Sequence, residues 1–370
     1  MNRRGHPSSA AATVTLSILL AACGSTPPSA PASPIPSVTA IPTQAPTPTP
    51  PPTATPSPTP SLPAGFAALD GVPADPTTGL RLPVAVMIDD NASARPQYGF
   101  NEASIVYQAP ADGGEDRYML VFQEQDAPRV EPVRSGRPYF VNWASEYRAA
   151  FAHYGGDAKT LAFLPTINNV VLYNVDALAG SYSAFHRDAN RYAPHNAYTS
   201  TDAVRQMAIS HGAPGQMPSD VAVRPFADDL PAASRPSSGS ITVPYNTGTT
   251  GYAYDAASNA YLRSVAGKPQ SDAGDGQRVT ARNVVVLFMR LSIDPQSEAG
   301  HARPVLDQVG SGDALVFRDG KVIPGTWRKD NASGLTRFYD TSGVEITLVR
   351  GRIFIQVVPT GTEVTWDAAS

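Results

Sequence analysis

Apolar and polar positions along this chain change their period between its two halves. In residues 81–212 short apolar runs alternate with helical stripes. Val84-Ala85-Val86-Met87-Ile88 runs into Asp89-Asp90-Asn91, the pattern of a buried strand feeding a polar loop. Residues 105–109 and 118–123 read as further strands. Phe140, Trp143, Ala144, Tyr147 and Phe151 recur at helical spacing behind Pro138, which suits a first helical turn. A second helix is predicted over 158–163 after Asp157. A third is predicted over 202–211, with Thr201 as N-cap and Gly212 as its stop. Residues 213–239, rich in Pro, Ser, Ala and Asp, read as a connection. From Ser240 onward the pattern is short strands and turns. Residues 283–289, 314–318 and 353–358 are apolar, Asp319-Gly320 is a hairpin signal, and Thr341-Ser342-Gly343 is a second turn. The expected class is therefore α+β: a mixed α/β domain over 64–212, the connector 213–239, and a mainly antiparallel β domain over 240–370, either sandwich or barrel.

Ahead of these lies a stretch of another kind. Arg3 and Arg4 precede the uncharged, mostly apolar residues 10–22, and Leu20-Ala21-Ala22-Cys23 closes the run with small residues before a cysteine. Residues 1–22 read as a lipoprotein signal peptide and Cys23 as the lipidated first residue of the mature chain. The run is shorter than the ~20 residues a membrane-spanning helix needs. Residues 23–63 add a Pro/Thr/Ser-rich tether, with prolines crowded from Pro27 to Pro63. Such a composition is expected to remain disordered and extended, reaching about 120 Å at ~3.1 Å per residue. The expected location is the extracytoplasmic face of a membrane, held by the lipid on Cys23.

Composition narrows the chemistry. Cys23 is the single cysteine, so disulfides, thiol nucleophiles and thiolate metal sites are excluded from the folded part. The net charge of −4 gives no basic field for nucleic acid. No GxSxG, HExxH, EF-hand, SxxK or phosphate-loop motif occurs, which leans away from catalysis. No metal and no cofactor are expected.

Four constellations remain. Arg134 and Arg137 flank Ser135-Gly136 just before a helix, a setting suited to an anion. His153-Tyr154-Gly155-Gly156 joins a strand to a helix, where backbone can approach a ligand closely. His186, Arg187, Arg191, His195 and Asn196 form a dense polar loop that could supply a base and anion clamps. Asp89, with Arg95 nearby, stands at a strand's C-terminal end, where α/β ligand sites open. His195, His153 and Asp89 are the catalytic candidates. The ligand-binding candidates are Arg95, Arg134, Ser135, Arg137, Gly155, Gly156, His186, Arg187, Arg191, His195 and Asn196. Each has a structural alternative as a turn former, cap or internal ion pair.

Pro83 to Asp89, Arg95-Pro96-Gln97, Pro132 to Phe140, His153 to Gly156 and Ala193 to Tyr198 together resemble the signature segments of the YerB-like bacterial lipoproteins, a family carrying domain of unknown function 3048. Asn283 to Val286 and Gly325-Thr326-Trp327 resemble its C-terminal part in the expected order. Gly136 stands where the family usually has Ala. The resemblance implies a lipid-anchored surface protein of two adjoining domains and no settled activity. The expected role is a non-catalytic envelope binding or regulatory protein, its partner a cell-wall component or envelope protein. The alternative is a hydrolase or transferase acting on wall or phosphate-bearing substrates.

Overall fold

The computed structural model describes residues 65–367. The expected signal peptide (1–22), lipidated Cys23 and tether (23–63) lie outside the described residues. The first half contains α1 (Pro76–Gly79), β1 (Val84–Asp89), β2 (Ile105–Pro110), β3 (Asp116–Phe122), α2 (Pro138–Ser145), β4 (Ala150–His153) and α3 (Ala158–Ile167). It continues with β5 (Tyr173–Asp176), β6 (Phe185–Arg187), β7 (Ala197–Thr199) and α4 (Thr201–Ser210). The second half is made of strands: β8 (Phe226–Ala227), β9 (Ser240–Val243), β10 (Thr250–Asp255), β11 (Ala260–Val265), β12 (Lys268–Pro269), β13 (Thr280–Ala281) and β14 (Asn283–Met289). After these come β15 (Leu291–Ile293), β16 (Pro304–Leu306), β17 (Gly310–Arg318), β18 (Lys321–Lys329), β19 (Arg337–Asp340), β20 (Leu348–Val349), β21 (Ile353–Pro359) and β22 (Thr365–Asp367). The class is α+β with a strand-rich second half.

One ten-stranded sheet carries both halves, in the order β19-β18-β17-β14-β21-β2-β3-β1-β4-β5. β21 is the seam. It runs parallel to β14 on one side and to β2 on the other. The second half therefore does not close into a sandwich or barrel of its own: five of its strands extend the sheet of the first. A second sheet, β12-β11-β10-β9-β22 with β13 beside β11, covers one face together with α4. α2 and α3 cover the other. Val84, Val86 and Ile88 face the first layer, Ala85 and Met87 the second. That double burial is why β1 reads as a continuous apolar run instead of an alternating one.

Local chemistry sets the boundaries. α2 ends at Ser145, before Tyr147 and Phe151, which the helical spacing had included. Arg148 adopts φ 47 and turns the chain into β4. Tyr147 and Phe151 still pack in the core layer of α2, so the apolar period outlives the helix. α3 runs on to Ile167, through Pro165, and Asp157 caps it by accepting from the Thr160 amide at 2.7 Å. Ser200, not Thr201, caps α4, accepting from Ala203 at 3.1 Å. Asp319 (φ 52) and Gly320 (φ 73) make the two-residue turn between β17 and β18, the left-handed pair that suits strand twist. The connector is tied to the first half by Leu82 N–H to Gly215 O (3.0 Å) and Met217 N–H to Leu80 O (2.8 Å).

Candidate functional site

β1 and β4 are parallel neighbours, so their C-terminal ends open on one edge of the sheet. The segment 131–136 crosses that edge. Asp89 N–H donates to Pro132 O (3.0 Å), Arg134 N–H to Met87 O (3.0 Å) and Tyr154 N–H to Arg134 O (2.9 Å). The loop between β6 and β7 closes the third side, Val133 N–H donating to Ala197 O at 2.7 Å. Three segments far apart in sequence thus deliver one side chain each.

Those side chains are Asp89, Arg134 and His195. Asp89 is buried, and its Oδ2 receives His195 Nδ1 at 2.7 Å and Arg134 Nε at 2.9 Å. The Arg134 contact is an ion pair whose N–H points off the oxygen, so the imidazole holds the aligned hydrogen bond. Asp89 Oδ1 accepts from the Asn91 amide at 3.0 Å, and its carbonyl accepts from Gln97 Nε2 at 2.9 Å. Both carboxylate oxygens are thereby held. His195 and Arg134 are each one-fifth exposed. Among the described residues, neither His195 Nε2 nor the Arg134 Nη groups have a hydrogen-bond partner. An imidazole edge and a guanidinium fork therefore face solvent side by side, both anchored on one oxygen. Such a pair can grip an oxyanion.

Neighbouring side chains shape this edge. Ser135 Oγ donates to Tyr154 O (3.0 Å), and Arg117 Nη1 donates to Ser135 O (3.1 Å). Burial pulls the Arg117 guanidinium down to about 10. Arg187 stacks over Tyr154 (4.6 Å) and donates to Asn196 Oδ1 (2.7 Å). Asn196 Nδ2 braces the loop by donating to Asp188 O (3.3 Å) and Arg191 O (3.2 Å).

The remaining candidates are engaged elsewhere. His153 is fully buried, with Nδ1 2.8 Å from Gly155 O and Nε2 2.8 Å from Asn174 Oδ1, so neither ring nitrogen is open to a substrate. The Gly155 amide donates to Asp176 Oδ1 (2.9 Å), and Gly156 bridges Gly136, so this glycine pair is bound into the fold. Arg137 grips Asp112 through Nε and Nη2, with Asp157 3.5 Å away. Burial alone would raise Asp112, but the Arg137 guanidinium outweighs it and holds the carboxyl below its usual range. Arg95 pairs with Asp90 (2.8 Å), and Arg191 donates to Ala94 O (3.2 Å) and to Pro96 O. His186 is exposed and rests on Tyr198, with ring centroids 5.3 Å apart.

Two arrangements were not read from the sequence, although Glu131 and Asp90 stand in the segments it marked. Glu131 is buried beside the site, its Oε2 held by Arg129 (2.6 Å), while Oε1 has only Arg191 Nε at 3.7 Å. Burial raises this carboxyl above its ordinary value. The other is the pair Asp90 and Asp116, joined through Thr247. Asp116 opens a strand whose next residue is also charged, a visible signal. Thr247 stands in a different half of the chain and carries none.

Among the described residues no group of three or more His, Cys, Asp or Glu is arranged to hold a metal ion. None of their helices is long and apolar enough to cross a membrane. Residues 69–213 match the family model described as the N-terminal domain of a protein of unknown function (DUF3048), and residues 241–355 match its C-terminal domain. The chain is 30% identical over 300 residues to the putative lipoprotein YerB of Bacillus subtilis, covering 79% of this chain and 86% of that protein. The crystal structure of B. subtilis YerB superposes with a TM-score of 0.72 at 27% identity, over 82% of this chain and 99% of that one.

Proposed function

We propose that this chain, which belongs to the DUF3048 family of proteins of unknown function, is a membrane-anchored binding protein that holds an anionic group of a cell-envelope component. The lipid anchor is Cys23, and the working face is extracytoplasmic. The name of the B. subtilis relative supports the lipoprotein part, as do Leu20-Ala21-Ala22-Cys23 in this chain. The observation that carries the binding part is the sharing of Asp89 Oδ2 by His195 and Arg134, whose outer edges are open. One carboxylate orients two donors, and the cation of Arg134 is permanent. A carboxylate or phosphate would be gripped by the fork and the imidazole together.

A second reading as a hydrolase or transferase draws on the same hydrogen bond. Nδ1 fixed by a carboxylate leaves Nε2 outward, as a general base requires. Against it, the nearby Ser135 hydroxyl is spent on Tyr154 O. Thermal shift of the full chain against wall fragments and phosphorylated sugars tests both. A stabilising ligand, lost in Arg134→Ala and in His195→Ala and not consumed on incubation, supports binding. Turnover abolished by His195→Ala supports the enzyme. A shift that survives both substitutions sinks the site.

A further inference from the structure

A cavity lies at the junction of the two halves, with none of Asp89, Arg134 and His195 among its lining residues. Its volume is about 450 Å3, within the range of small-molecule sites. Pro110, Pro244, Leu291, Ile293, Pro304 and Pro359 supply apolar walls, the prolines holding them rigid. Leu291, Ile293 and Pro304 reach it from one face of the β15–β16 hairpin, where Ile293 pairs with Pro304. Tyr245 lines it too, but its hydroxyl is turned inward, 3.1 Å from both Gln108 O and Val357 O, and its single hydrogen goes to that pair of carbonyls. Asp116 is the one Asp, Glu, Lys, Arg or His among the lining residues.

The surroundings of Asp116 are unusual. Thr247 Oγ1 stands 2.7 Å from Asp116 Oδ2 and 3.0 Å from Asp90 Oδ2. A hydroxyl has one hydrogen and cannot donate to both. Asp90 has other support, from Arg95 (2.8 Å) and Gln108 Nε2 (2.8 Å). Asp116 has the Thr247 amide (2.9 Å) and, among the described residues, no cation at ion-pair distance. Burial, with Asp90 adding to it, pushes the Asp116 carboxyl up to about 6. A buried carboxylate without a counter-cation among the residues that line an apolar cavity selects a ligand of opposite charge with an apolar body.

We propose that this cavity binds an aliphatic amine, its chain against the proline-lined walls and its ammonium on Asp116. Hexylamine is the probe, with hexanol and hexanoate as its neutral and anionic counterparts. In titration calorimetry on the full chain at pH 7.5, hexylamine binds and the other two bind at least tenfold more weakly. At pH 5, with Asp116 holding its proton, hexylamine affinity falls about tenfold. Asp116→Asn loses hexylamine binding. Ile293→Lys, on the half-exposed rim, places a competing cation there without disturbing the core, and also loses it. Equal binding of hexanol and hexylamine, retention in either variant, or no binding by any probe overturns the proposal. The anion response of Arg134 and His195 is untouched by Ile293→Lys, so the two sites fail separately.

Discussion

His195 Nδ1 meets Asp89 Oδ2 at 2.7 Å across 106 residues of chain. The contact closes the loop after β6 onto the end of β1, so the site forms only when the first half has folded. Arg134 leans on the same oxygen. Asp89→Asn leaves the Arg134 guanidinium facing a neutral amide in a mostly buried place and removes the charge from the acceptor of the His195 hydrogen bond. It is expected to cost about 2–4 kcal/mol in urea unfolding, while His195→Ala, one-fifth exposed, costs about 1 kcal/mol. A loss below ~0.5 kcal/mol for Asp89→Asn would mean that the carboxylate holds nothing together.

Glu146 and Lys329 join α2 to the end of β18. Lys329 Nζ is 2.6 Å from Glu146 Oε1, both side chains are fully buried, and Arg224 and Thr336 complete the network. Burial lowers the Lys329 ammonium, and Glu146 works against that. Lys329→Met strands the carboxylate and is expected to cost about 3–5 kcal/mol. Replacing Glu146 and Lys329 together recovers only part of the loss, because Arg224 then stays buried without its carboxylate, and a double-mutant cycle by denaturant unfolding measures the coupling.

Asp70 sets a pH trend. Burial, with Glu124 adding to it, raises its carboxyl to about 8, against 3.8 when exposed, while the Val72 amide and Arg352 oppose the rise. Between those values the native state holds a proton that the unfolded chain releases, so stability must fall as pH rises. The contribution is complete below pH 4 and gone above about 8. Asp70→Asn should flatten this part of the stability–pH curve and raise the melting temperature at pH 8. A curve of unchanged slope would remove Asp70 as its cause.

Gly320 is constrained twice. Its φ is +73, and a Cβ there would lie 2.5 Å from Tyr254 and 2.6 Å from Pro236. Gly320→Ala is expected to cost about 2 kcal/mol. Gly343→Ala, with φ +84 but open space around it, should cost about half as much. Equal melting temperatures for the two variants would remove the steric part of the argument.

The first half should not stand alone. β2 leans on β21 along residues 105–108, and residues 65–212 without β21 expose that edge. Expressed by itself, this piece is expected to show strand signal without a cooperative melt. A sharp two-state transition would prove the halves independent.

What the sequence disclosed follows from the range of each interaction. The apolar runs of β1 and β14 and the Asp319-Gly320 turn depend on neighbours in the chain, and they were legible. Tyr147 and Phe151 misled because a strand following α2 delivers them to the same core layer, which prolongs the helical period. Ser200 and Thr201 are adjacent hydroxyls, and only the geometry shows that Thr201 serves Asp126 and Ala127 instead. Polar composition marked the segments around Asp89, Arg134 and His195, but not which of their side chains meet. His153 and Arg137 looked equivalent to them in one dimension. Pairing with Asn174 and Asp112, each more than twenty residues away, sets them apart.

The position of β21 also fixes a schedule. The strand that joins β2 to β14 is made after both of its neighbours. Until Ile353–Pro359 emerges, the central gap of the sheet stays open and every layer packed on it stays incomplete. Final closure of the sheet therefore waits on the synthesis of β21. During that interval the bare edge of β2 is what a chaperone would have to shield.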